Sequence, residues 1–115
     1  MTVTIYHNPR CGKSRQTLAL LQDKGVTPIV VEYLKTPPSE AELRDILKKL
    51  GGGPRQLMRT KDALYGDLKL DDPALADAEL IRALAAHPSL IQRPIVIAGT
   101  RAAIGRPPEA VLAIL

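Results

Sequence analysis

The stretch Val3-Thr4-Ile5-Tyr6-His7-Asn8-Pro9-Arg10-Cys11-Gly12-Lys13-Ser14 decides the fold. Val3 to Tyr6 alternates apolar and polar side chains, the pattern of a short strand. His7 to Gly12 cannot extend it, because Pro9 lacks a ladder donor and the segment is rich in turn residues. From Lys13 to about Lys24 the pattern is helical, with Leu18, Ala19, Leu20 and Leu21 on one broad face and Gly25 as the stop. Pro28-Ile29-Val30-Val31-Glu32-Tyr33 follows as a second strand rich in β-branched residues. A strand, helix and strand of these lengths form a βαβ unit, so the two strands are expected to be parallel with a right-handed crossover.

Thr36-Pro37-Pro38 breaks the chain. Ser39 with Glu42 reads as a capping box, and Leu43, Ile46, Leu47 and Leu50 follow at helical spacing until Gly51 to Pro54. Arg55 to Met58 and Asp62 to Leu68 read as short helical pieces. Asp77 to His87 forms a further helix with Leu80, Ile81 and Leu84 inward and Pro88 as its stop. The block from 39 to 87 carries no strand signal. Strand character returns at Pro94-Ile95-Val96-Ile97-Ala98, turns at Gly99-Thr100, and comes back antiparallel over Arg101 to Ile104. Pro107 or Pro108 then suits the first turn of a helix reaching Leu115. The order is βαβ, a helical insertion at about 39–87, then ββα. That is the order of an α/β, thioredoxin-like fold with a mixed four-stranded sheet, expected here as a single domain over 1–115.

Composition narrows the chemistry. The chain has 115 residues, no Phe or Trp and three Tyr, so its core must be aliphatic. Its first residues have no basic leader and no run is long enough to cross a bilayer, so neither a signal peptide nor a membrane span is expected. One cysteine cannot close an internal disulfide, which points to a reducing compartment, the cytoplasm by default. The net charge of +4 is modest and no basic cluster grips a nucleic-acid backbone, so nucleic acid is not expected as a partner. Nine of the sixteen basic residues are Arg, which favours forked recognition of a small oxyanion.

Cys11 lies where the first strand gives way to the first helix. Amide N–H groups of the first turn lack partners within the helix and stabilise a thiolate or bound oxyanion there. His7, Arg10, Lys13 and Arg15 add positive charge, and the Ser14 hydroxyl is expected to reach the sulfur or an N–H of the same turn. A lone cysteine in a cytoplasmic protein is commonly a small apolar filler, but this one sits in a polar, basic turn. Position 14 is Ser, so there is no dithiol motif, and any redox cycle must borrow a second thiol. Position 17 is Thr where a cysteine phosphatase loop needs Arg. His7 and His87 with one Cys supply no zinc ligand set, so no metal site is expected, and His87 reads as a helix-end residue.

Tyr6-His7-Asn8-Pro9-Arg10-Cys11-Gly12-Lys13-Ser14-Arg15 resembles the signature of the glutaredoxin-coupled arsenate reductases. The resemblance continues through Tyr33-Leu34, Pro37-Pro38-Ser39, Arg55-Gln56-Leu57-Met58-Arg59, His87-Pro88, Arg93-Pro94-Ile95-Val96 and Gly105-Arg106-Pro107-Pro108-Glu109. It spans nearly the whole chain, and the short members of the family are the more similar ones. The resemblance implies a thioredoxin-like fold and reduction of arsenate to arsenite, with glutathione as co-substrate, glutaredoxin as partner and no bound cofactor. It makes Cys11 the nucleophile and Arg59, Arg93 and Arg106 the holders of the oxyanion. It places His7 near the thiol to favour the thiolate, Ser14 beside it, and Pro94 in cis opposite the cysteine. On physical grounds Arg93 and Arg106 each adjoin a proline break, whereas Arg59 only ends a short helical piece. Two other readings stand beside this one: a glutathione-dependent thiol oxidoreductase with a different substrate, and a non-enzymatic regulator that binds RNA polymerase.

Overall fold

The computed structural model describes residues 2–115; Met1, the first residue of the segment read above for a leader, lies outside them. Four strands form one sheet: β1 Val3–His7, β2 Ile29–Glu32, β3 Ile95–Ala98 and β4 Arg101–Ile104. Their order is β2-β1-β3-β4. β1 runs parallel to β2, with His7 beside Glu32, and antiparallel to β3, with Tyr6 beside Ile95. β3 and β4 are antiparallel, joined at Gly99-Thr100. The expected mixed sheet is therefore present.

The chain clusters into two compact units, 1–36 with 93–115 and 37–92. In the first, Val3 and Ile5 of β1, Val96 and Ala98 of β3, Leu21 and Val111 form an all-aliphatic buried cluster. Leu18, Leu20, Val26, Ala103 and Ile114 pack around it. This burial removes apolar surface from water at roughly 25 cal/mol per Å². Helix α1, Gly12–Asp23, buries Ser14, Thr17 and Leu21 along one face. That face differs from the one the leucines suggest, since Ala19 is exposed and Leu18 and Leu20 are half-buried. Two small polar residues lead it because each satisfies its hydroxyl locally. Ser14 Oγ accepts from the Asn8 N–H at 3.0 Å, and Thr17 Oγ1 donates to the Lys13 carbonyl at 2.8 Å. Gly25, at φ +78°, ends the helix in the left-handed region as expected.

The second unit is helical. α2, Glu40–Leu50, starts on the full capping box: the Glu42 N–H donates to Ser39 Oγ and the Ser39 N–H to Glu42 Oε1, each at 3.1 Å. It packs on α4, Asp77–Ala86, with Leu43, Ile46 and Leu47 buried on one helix and Leu80, Ile81 and Leu84 on the other. α3 is the short Ala63–Asp67. Arg55 clamps the loop after it, donating to the carbonyls of Leu70 at 3.0 Å and Asp72 at 2.8 Å. One antiparallel bridge, Met58 with Ile91, lies at the edge of this block, which the sequence pattern did not signal.

The C-terminal segment departs from expectation in type. Pro108–Ile114 is a 3-10 helix rather than an α-helix, closed by bonds such as Ala110 N–H to the Pro107 carbonyl at 3.0 Å. Pro108 takes its first position. Both Arg93-Pro94 and Arg106-Pro107 are cis.

Two substitutions test this architecture. Ser39→Ala removes the cap and should cost about 1 kcal/mol in urea-induced unfolding. A Cβ added at Gly105 would lie 2.6 Å from Thr17 Oγ1 and 2.7 Å from Pro94 Cγ, both in packed surroundings. Gly105→Ala should therefore lower stability by about 1–3 kcal/mol in the same measurement.

Candidate active site

The site is built at the junction of β1 and α1. Asn8 folds the connection back: its side-chain oxygen accepts from the Arg10 N–H at 3.0 Å, an Asx turn. Its carbonyl accepts from the Cys11 N–H at 3.0 Å. Arg15 reaches back from the helix to the Pro9 carbonyl at 3.0 Å. Cys11 thus becomes the N-cap of α1, extended at φ −94° and ψ 124°, with a largely buried side chain that caps nothing.

Two opposing effects set the thiol's acidity. Burial pushes its pKa up, but the Ser14 amide, a hydrogen bond and charge from Arg93, and the Lys13 amide together hold it below the ordinary thiol value of 9.0. Arg106 also reaches the sulfur, with Nη2 3.6 Å from Sγ. Of the two guanidiniums, Arg93 is the one that contributes to the lowering.

Arg93 and Arg106 are coupled to one another. Arg106 Nε donates to the Arg93 carbonyl at 2.8 Å, and the Gly105 N–H donates to the Pro94 carbonyl at 2.9 Å. These bonds tie the end of β4 to the start of β3 and aim both guanidiniums at Cys11. Arg93 Nε is buried and has no hydrogen-bond partner among the described residues. A buried donor of this kind is rare and is suited to an incoming oxyanion.

The Ser14 hydroxyl is placed differently from the sequence expectation. The Ser14 side chain faces the sheet, so its hydroxyl meets His7 Nδ1 at 2.6 Å and the Asn8 N–H, while its amide is what serves the sulfur. The expectation of a bond to the sulfur or within the same turn is corrected accordingly. Burial, aided by Arg15 and opposed by Glu32, lowers the His7 pKa below 6.5. Its Nδ1 meets the Ser14 hydroxyl, which ties the end of β1 to the first turn of α1.

Arg59 lies in the helical unit, where Nη1 contacts Asp62 Oδ2 at 3.1 Å and its N–H donates to the Leu90 carbonyl at 2.8 Å. Pro94 is cis, as the resemblance implied. His87 ends α4, donating its N–H to the Ala83 carbonyl. Among the described residues no group of three or more His, Cys, Asp or Glu is placed to hold a metal ion. Among the described residues no helix is long and apolar enough to cross a membrane. Asn8, Thr17 and Gly105 were not singled out from sequence, since their roles are backbone bonding and close approach; only the Gly-Arg-Pro-Pro break hinted at the last.

A mixed β2-β1-β3-β4 sheet with one thiol at the N-terminus of the first helix and a cis-proline before β3 defines a thioredoxin-like protein of the monothiol kind. More narrowly, the ArsC family model matches residues 6–114, and the chain belongs to that family. It is 58% identical to a Haemophilus influenzae protein named arsenate reductase, the alignment covering both chains in full. It is 55% identical to the uncharacterized Escherichia coli protein YfgD, over 98% of this chain and 96% of that one. The solved structure of an arsenate reductase from Vibrio cholerae superposes with a TM-score of 0.97 at 52% identity, covering 100% of this chain and 98% of that one.

The acidity argument has a direct check. The pH dependence of iodoacetamide alkylation should place the Cys11 midpoint below 9.0 in the wild type. Arg93→Ala removes a hydrogen bond and a charge that favour the thiolate, so the midpoint should move up.

Proposed function

We propose that this protein reduces arsenate to arsenite through Cys11, with glutathione and glutaredoxin supplying the electrons. One observation carries the reading: a nucleophilic sulfur lies at a helix N-terminus with the Arg93 and Arg106 guanidiniums converging on it. The same groups that favour a thiolate suit a tetrahedral oxyanion, because both are anions and both accept forked donors. The relatives named arsenate reductase make arsenate the oxyanion of choice.

In this scheme the Cys11 thiolate attacks arsenic and a protonated oxygen leaves as water, forming an S–As(V) bond. Glutathione adds as a second thiol, displacing another water. A glutaredoxin thiolate then takes the glutathionyl group as a mixed disulfide, and the electron pair of the broken S–As bond reduces As(V) to As(III). Hydrolysis releases arsenite and restores Cys11. The balance is one arsenate and two thiols giving one arsenite, one disulfide and one water. Arg93 and Arg106 hold the arsenate oxygens, with the unpartnered Arg93 Nε as an available donor. Arg59 stands as the third arginine of the sequence pattern only, and its half-exposed pair with Asp62 is weak. The protein itself needs no bound cofactor, and the cytoplasm, where glutathione is reduced, suits its lone thiol.

The test is arsenate-dependent NADPH consumption coupled through glutathione reductase, glutathione and glutaredoxin. Cys11→Ser should lower turnover about 1,000-fold or more, and Arg93→Ala about 100-fold. Wild-type turnover in Cys11→Ser would overturn the role of the thiol. Reduction of mixed disulfides with no arsenate turnover would remove arsenate as the substrate.

A further inference from the structure

Beside the Cys11 loop, a cleft of about 200 Å³ is lined by His7, Arg10, Glu32, Leu34 and Lys35, all from the first compact unit. Arg93 and Arg106 line no part of it. We propose that this cleft is the seat of glutathione, an assignment that rests on the thiol-donor reading above.

Charge complementarity carries the argument. Glutathione presents two carboxylates and one ammonium. The cleft presents two cations, Arg10 and Lys35, and one carboxylate, Glu32. Arg10 is exposed, and its guanidinium makes no hydrogen bond or ion pair among the described residues. Lys35 and Glu32 touch at 3.6 Å, but their side chains are 78% and 40% exposed, so the pair is weak and opens at little cost. Leu34 is 48% exposed and offers an apolar surface to the peptide's backbone and methylenes.

Placement supports the same ligand. Asn8 folds Arg10 and Cys11 into one tight turn through its side-chain oxygen and its carbonyl. The Cα atoms of Arg10 and Cys11 are about 3.8 Å apart across a trans peptide. A tripeptide anchored by its ends on Arg10 and Lys35 therefore lies against the loop that leads into Cys11, whose residues Asn8 and Pro9 also line the cleft while Cys11 itself does not. The two functions stay separate: arsenate is held by Arg93 and Arg106, the donor by the cleft.

The experiment is an NMR titration of the full chain with S-methylglutathione, which keeps both carboxylates and the ammonium but has no free thiol. Amide shifts should concentrate at Arg10, Glu32, Leu34 and Lys35. The double variant Arg10→Ala/Lys35→Ala, at two exposed positions, should bind about tenfold more weakly. Lys48→Ala, an exposed lysine on α2, should bind as the wild type does. Absence of binding, shifts centred elsewhere, or equal affinity in the double variant would overturn the proposal. No arsenate is present, so failure of the arsenate reading is seen separately, as absent turnover in the coupled assay while the titration still maps to the cleft. Where arsenate is turned over, Lys35→Ala, which lies away from the Cys11 turn, should raise KM for glutathione several-fold and leave KM for arsenate unchanged.

Discussion

The buried hydrogen bond between Ser14 Oγ and His7 Nδ1, at 2.6 Å, is the contact on which the site depends. It joins the last residue of β1 to the first turn of α1, and the same oxygen takes the Asn8 N–H. Strand and helix are held together there across the connecting loop, and Cys11 falls at the helix N-cap. The Lys13 and Ser14 amides then face the sulfur without any side chain having to reach it. The thiol's acidity is thus a property of backbone placement, reinforced by Arg93.

The remaining charge comes from residues more than eighty positions away, and its delivery is also a backbone matter. Gly105 packs against Thr17 and Pro94 more closely than any side chain would permit, and its N–H bonds the Pro94 carbonyl. That closure brings Arg106 to the Arg93 carbonyl. Two guanidiniums held this way bring two cations to one thiol, the feature on which the proposed oxyanion role rests. Thr17, where a phosphatase loop would carry an arginine, serves here as the buried surface that Gly105 meets.

Much of the fold was legible because its signals are local. The βαβ opening, the Ser39–Glu42 capping box, the left-handed Gly25 and Gly51 and the β3–β4 hairpin each depend on residues within a few positions of one another. The buried face of α1 was not legible, since periodicity of apolar residues cannot reveal a face led by Ser14 and Thr17. The C-terminal segment was assigned to the wrong helix type because a proline at its first position marks a start without specifying the hydrogen-bond spacing that follows. Arg55 and Arg59 look alike in sequence; only the structure shows Arg55 spent on the Leu70 and Asp72 carbonyls.

By itself, the sequence determined the order of elements, the aliphatic core, the lone thiol at a strand-to-helix turn, and the lack of a second cysteine to pair with it. Those follow from residue type and short-range spacing. Tertiary structure alone decided that the Ser14 amide and not its hydroxyl serves the sulfur, that His7 is bonded to that hydroxyl, and that Arg93 and Arg106 meet at Cys11. The physical reason is common to all three. Which way a side chain faces, how far it is buried and which distant charge lies beside it are set by packing between segments, and no local pattern encodes them.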